Sequence, residues 1–207
     1  MELLDFTILV LSFVIVVFLA AILFIRPSRA VLIASLLGGL VLALVNILFD
    51  VIAAYANFWH YVFTAPKPSQ RFPWNIDPQA FYHLVTHFPV TYYISTGLVY
   101  GSIVYLLIWR FEKGPKAWFA KLLLFGIPLF CILRDVYGAA THTAYLHWDS
   151  VGGIVLTVLL WPIAFYAGHR LFKKLAPSHQ VVEAQRQEEE EREAARIQAL
   201  KAASSQQ

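Results

Sequence analysis

An ionisable side chain inside a long apolar run is costly in hydrocarbon and persists where it is paired or used, so such residues are where this sequence could do chemistry. Asn46, Asp50 and Asn57 fall at near-helical spacing in one apolar run and make a polar stripe. Arg134 and Asp135 are adjacent in another, with Tyr137 and Thr141 completing the turn beyond them. Asp50 and Arg134 are expected at similar depth, which predicts an interhelical ion pair between them. That pair either fixes which helices are neighbours or leaves Asp135 free to bind or protonate a ligand in a cavity. Asp50, Asp135 and Arg134 are therefore the candidate catalytic residues. Thr91, Ser95 and Ser102 lie close to one face of a further helix and offer a wall for such a cavity, although hydroxyls of this kind commonly bond their own backbone.

Histidine supplies the second candidate chemistry. His60, His83, His87, His142 and His147 are all expected on one side of the apolar runs, with His169 and His179 on the other. His83 and His87 are four residues apart, so on a helix both imidazoles share a face, as a metal site requires. His60 and His142 leave the helices that carry Asp50 and Asp135, and with His147 they allow a mixed imidazole and carboxylate site. Interfacial histidines also simply bond headgroups or water. No H-E-x-x-H, di-iron, Walker, Rossmann or paired-cysteine pattern accompanies them, so the sequence names no cofactor.

The elements that must position these groups follow from composition. A hydrophobic fraction of 59% and a charged fraction of 14% leave too little polar surface for a water-soluble domain of this size. Cys131, the single cysteine, rules out an intramolecular disulfide framework. Crossing hydrocarbon takes roughly 20 apolar residues. Five stretches qualify: Phe6 to Ile25, Ala30 to about Tyr55, Pro89 to about Trp109, Trp118 to Gly138 and Val151 to Phe172. Glu2 and Asp5 stand where a signal peptide would be basic, so the first stretch reads as a retained helix. The Arg26-Pro27-Ser28-Arg29 turn is so short that the first two helices are expected to be antiparallel neighbours. Gly38-Gly39 and the Gly97/Gly101 step read as close packing points.

The fold class is thus all-α, an integral membrane bundle of about five transmembrane helices. Arg26, Arg29, Arg110, Lys113, Lys116, Lys121, Arg170, Lys173 and Lys174 fall on one side, against Lys67 and Arg71 on the other. The positive-inside rule then puts the amino terminus outside and the carboxy terminus in the cytoplasm, as for a bacterial inner-membrane protein. The positive charge reports this topology and not nucleic acid. Residues 1–176 form the transmembrane domain. Its outer loop, 58–88, carries Asp77-Pro78, an N-cap and first-turn proline that predict a short helix on the membrane surface. Residues 177–207 form a charged tail, helical or partly disordered, whose Glu188 to Glu191 run offers a surface to a protein partner.

Phe49-Asp50, then Trp59 nine residues after the aspartate, then Tyr61 and the proline-rich Pro66 to Pro73 loop form a pattern over roughly forty residues. It resembles the helix-and-loop pattern of the bacterial and fungal lycopene cyclase domain, and the signature of small bacterial multi-pass proteins of unassigned function. The resemblance implies a shared helical scaffold. In the cyclase domain the following loop carries a proline and paired glutamates that act as the acid. Here it reads Pro73-Trp74-Asn75-Ile76-Asp77-Pro78, without the paired acids. Chemistry of that kind would fall to Asp50 or Asp135 as proton donor, with Trp59, Tyr61 and Trp74 stabilising a developing carbocation.

Three functions fit these residues, in this order. The first is a binding or accessory membrane protein with a polar cavity in the outer leaflet, lined from among Asn46, Asn57, Trp59, Tyr61, Trp74, Thr91 and Tyr137. The second is an enzyme that modifies isoprenoids or lipids with an intramembrane carboxylic acid. The third binds haem or a metal through His83, His87, His142 and His147. Membrane lipids are the expected partners in each, and homo-oligomerisation stays open.

Overall fold

The computed structural model describes residues 2–62, 77, 79, 80, 82, 89–141 and 146–204. Trp74, His83, His87 and His142 lie outside these residues, as does most of the expected surface helix. At the start of that segment the Asp77 carboxylate accepts a bond from the Gln79 amide at 3.0 Å.

Five helices are long and apolar enough to cross a membrane. They are α1 (Glu2–Ile25), α2 (Arg29–Ala56), α3 (Val90–Phe111), α4 (Ala117–Ala140) and α5 (Val151–Leu175). Two three-residue strands, β1 (Trp59–Tyr61) and β2 (Leu146–Trp148), and a polar helix, α6 (His179–Ser204), complete the described elements. Aliphatic and aromatic side chains such as Leu9, Phe13, Leu129 and Val155 face outward, while Ser35, Asn46, Thr96, Ser102 and Thr157 are buried. That inversion of the soluble pattern is what a hydrocarbon solvent selects.

The bundle closes where it carries no side chains. A Cβ on Gly101 of α3 would stand 2.6 Å from Gly39 Cα of α2, and one on Gly38 would stand 2.8 Å from the Gly168 carbonyl oxygen of α5. Three backbones therefore touch at one level, as small residues permit in lipid. Hydroxyls fasten the same junction. Ser102 Oγ donates to the Ser35 carbonyl at 3.0 Å, and the buried Tyr105 hydroxyl donates to the Phe165 carbonyl at 2.8 Å.

Two features depart from expectation. The short turn does join α1 to α2, but beyond it α1 lies against α3, with Val14 and Ile25 its buried side chains among those described. The small-residue face of α2 is already filled by α3 and α5, so α1 finds its partner elsewhere and leaves another face of α2 bare. The second departure is in α3, where Thr96–Ile103 winds as a π-helix. Its wider turns shift the register between the Val90–Ser95 and Val104–Phe111 segments on either side.

At the basic end the tail is docked, not merely solvated. Trp109 Nε1 donates to the Pro177 carbonyl at 2.8 Å, Arg110 bonds His179 at 2.8 Å, and Lys113 donates to Gln180 Oε1 at 2.8 Å. Lys173 pairs with Glu112 beside them. Val182 is buried against this end, so the first turn of α6 belongs to the bundle. Trp109→Phe removes one bond worth about 1 kcal/mol, and amide exchange across 177–183 is expected to rise roughly fivefold by hydrogen-exchange mass spectrometry. Unchanged exchange there would mean that the ring packing alone, with Trp109 4.6 Å from His179, holds the turn.

Candidate functional site

Asp50 sits near the end of α2, and the chain just beyond it folds back over its carboxylate. Asn57 stops the helix in the left-handed conformation, φ 50° and ψ 48°, with its amide turned back to the Ala53 and Ala54 carbonyls. Asparagine tolerates that geometry better than most residues. The turn sends β1 across the helix end. Trp59 Nε1 donates to Asp50 Oδ1 at 3.0 Å, and the Tyr61 hydroxyl reaches Oδ1 at 3.0 Å and Oδ2 at 2.9 Å. From α3, the Tyr93 hydroxyl donates to Oδ2 at 2.5 Å.

The strand pair braces this arrangement. β1 and β2 run antiparallel with Trp59 opposite Trp148, His60 opposite His147 and Tyr61 opposite Leu146. The Asp149 amide donates to the Phe58 carbonyl at 2.9 Å, and the Asp149 carboxylate bonds His60 Nδ1 at 2.8 Å. The His60 and His147 rings stand 5.3 Å apart.

The charge balance at Asp50 is unusual for a membrane bundle. Its partners are two phenols and an indole, all neutral donors, and no cation pairs with it among the described residues. Burial pushes the Tyr61 phenol well above the ordinary tyrosine range, and the negative charge of Asp50 adds to that. Tyr61 therefore stays protonated and donating.

The second acid is neutralised. Arg134 Nε donates to Asp135 Oδ1 at 2.8 Å, Nη1 to the Tyr100 hydroxyl at 3.1 Å and Nη2 to the Tyr92 hydroxyl at 2.8 Å. Trp161 Nε1 donates to Asp135 Oδ2 at 2.7 Å. The guanidinium also lies 5.3 Å from the Tyr100 and Trp161 rings and 5.7 Å from that of Tyr92. The expected pair between Arg134 and Asp50 is not formed. A guanidinium has a carboxylate on the next residue of its own helix, and Tyr92 and Tyr93, successive on α3, take one acid cluster each.

No protein-family model matches this chain, and neither a curated protein nor a solved structure does. The site is therefore read from its own geometry. Asp50, Ala54, Asn57, Trp59, His60, Tyr61 and Asp149 line a cavity of about 660 Å³. On the far side of Tyr93, α2 and α3 border a groove of about 430 Å³ whose lining is nearly all apolar.

The candidates from sequence divide accordingly. Asp50, Asn57, Trp59 and Tyr61 meet at the cavity. Asn46 is buried and spends its amide on the Leu42 carbonyl of its own helix at 2.9 Å. Thr91 is half-buried and lines neither space, and Tyr137 is exposed on the outer surface of α4. His147 lies beside His60, but no group of three or more His, Cys, Asp or Glu side chains is placed to hold a metal ion among the described residues. Tyr93, Trp161 and Asp149 were not among the candidates. The one available signal was the pair of triplets Trp59-His60-Tyr61 and Leu146-His147-Trp148, alike in a central histidine and a flanking tryptophan.

Proposed function

We propose that this is a multi-pass membrane protein that binds the cationic group of a small molecule in the Asp50 cavity. One observation carries the reading: a carboxylate whose donors are three neutral aromatic side chains and which no cation pairs among the described residues, on the wall of a cavity that also presents Asp149, Trp59, His60 and Tyr61. A carboxylate and aromatic faces together suit an ammonium group, since both attract a cation and neither needs it stripped of its alkyl substituents. The basic end of the bundle, by the positive-inside rule, is cytoplasmic, which opens the cavity toward the outer face. The acidic Glu188 to Glu191 run of α6 lies beyond the docked first turn and offers itself to a protein partner.

The test is calorimetric titration of the detergent-purified protein with tetramethylammonium. Asp50→Asn preserves the shape of the site while removing its charge, and is expected to weaken binding by roughly tenfold or more, about 1.4 kcal/mol. Equal binding by a variant with unaltered helicity would overturn the reading.

A second reading uses the same geometry. Rings beside an acid stabilise a cation that forms during a reaction as well as one that arrives, so Asp50 could instead serve an enzyme acting on an isoprenoid or lipid. It predicts that Asp50→Asn protein carries a different extractable long-chain molecule from wild type.

A further inference from the structure

We infer that the groove between α2 and α3 holds the hydrocarbon tail of the ligand whose head occupies the Asp50 cavity, which makes that ligand a long-chain cationic amphiphile. This rests on the proposed reading of the cavity and extends it to the class of molecule.

Continuity is the first argument. Leu36, Leu40, Ala43 and Ile47 line the groove, and Asp50, Ala54 and Asn57 line the cavity. These positions succeed one another at intervals of three or four, so they form one unbroken face of α2. Tyr93 stands between the two spaces: it borders the groove, and its hydroxyl holds Asp50, which lines the cavity, at 2.5 Å.

Depth is the second. From Leu36 to Ile47 the helix rises roughly 16 Å, about half of a hydrocarbon core and the depth of one leaflet's chains. The groove begins a turn below Asp50 and runs toward the membrane middle, which is the direction a tail must take when its head sits at the surface.

The third argument is why the space exists. The helix α1, which could have covered it, lies against α3 instead, so the groove keeps an open side. Bulk lipid alone would occupy any lipid-facing furrow. What distinguishes this one is that the same face of α2 goes on to Asp50, a carboxylate that no cation pairs among the described residues.

The experiment uses hexadecyltrimethylammonium carrying a mid-chain diazirine, photolysed with the full-length protein in dodecyl maltoside micelles, with adducts mapped by peptide mass spectrometry. Adducts are expected on 36–47 and 90–98, and excess tetramethylammonium should suppress them. Ala43→Phe fills the groove and should cut labelling roughly tenfold while tetramethylammonium still binds. Leu40→Trp, at a more exposed groove position, gives the same answer should Ala43→Phe fail to fold. Adducts spread over the outward faces of α1 and α4, or labelling indifferent to both substitutions, would overturn the tail assignment while tetramethylammonium binding upholds the cavity reading. Absence of tetramethylammonium binding to wild type removes the cavity reading, and this inference with it.

Discussion

Gly39→Leu is expected to keep the bundle from assembling. A Cβ at Gly39 already collides with the Gly97 carbonyl and the Ser102 hydroxyl, both on α3, and the Gly97 carbonyl is backbone that has no rotamer to adopt. Adding three further carbons forces α2 and α3 apart along the junction where Ser102 bonds Ser35 and where Gly101 meets Gly39. Overpacking of a tight core costs about 1–3 kcal/mol where the neighbours can shift, and more where they cannot. The measurement is the fraction of monodisperse protein after detergent extraction, with its thermal midpoint. Gly126→Leu is the control, because a Cβ at Gly126 meets only Leu122 Cδ1, at 3.7 Å. Equal behaviour of the two variants would mean that the small-residue contact does not hold the helices together.

Arg134→Met should be nearly as damaging, for an electrostatic reason. It leaves Asp135, with a side chain only 13% exposed, facing Trp161 as its one remaining side-chain donor among the described residues, and it strips the Tyr92 and Tyr100 hydroxyls of their bonds to the guanidinium. Breaking a buried ion pair by removing one member costs about 3–5 kcal/mol. Removing both charges is cheaper, because no unpaired charge is left behind. Arg134→Met/Asp135→Leu is therefore expected to melt above Arg134→Met in a thermal scan. Arg134→Lys should fall between wild type and Arg134→Met, since an ammonium cannot serve a carboxylate and two phenols in one plane. A double variant less stable than Arg134→Met would show that Asp135 holds its place through Trp161 alone.

The five helices long and apolar enough to cross a membrane were legible because apolar run length is a local property. The spans expected at Phe6 to Ile25 and Val151 to Phe172 differ from α1 and α5 by a few terminal residues, where caps and not hydropathy decide the boundary. Gly38, Gly39, Gly97 and Gly101 were readable for the same reason, since close approach in lipid leaves few alternatives to glycine. Pairing was not legible. Arg134 and Asp50 satisfied every one-dimensional criterion for an ion pair, yet an adjacent acid and two consecutive tyrosines decided the matter through side-chain direction. The π segment of α3 has no composition signature, and three-residue strands are too short for alternation to register. Asp149 follows β2 directly and is invisible as a site residue until the strands are paired.

Tyr92 and Tyr93 sit on consecutive positions of α3, one hydroxyl on Arg134 and the other on Asp50. A twist of this stretch that released one would drag the other, so the two acids share a single mechanical fate. The loosely wound Thr96–Ile103 stretch lies immediately below and is the place where such a twist could be taken up without turning the lower half of the rod. The bundle thereby carries a torsional joint under its two carboxylates, with the Trp109 anchor of the tail beneath it.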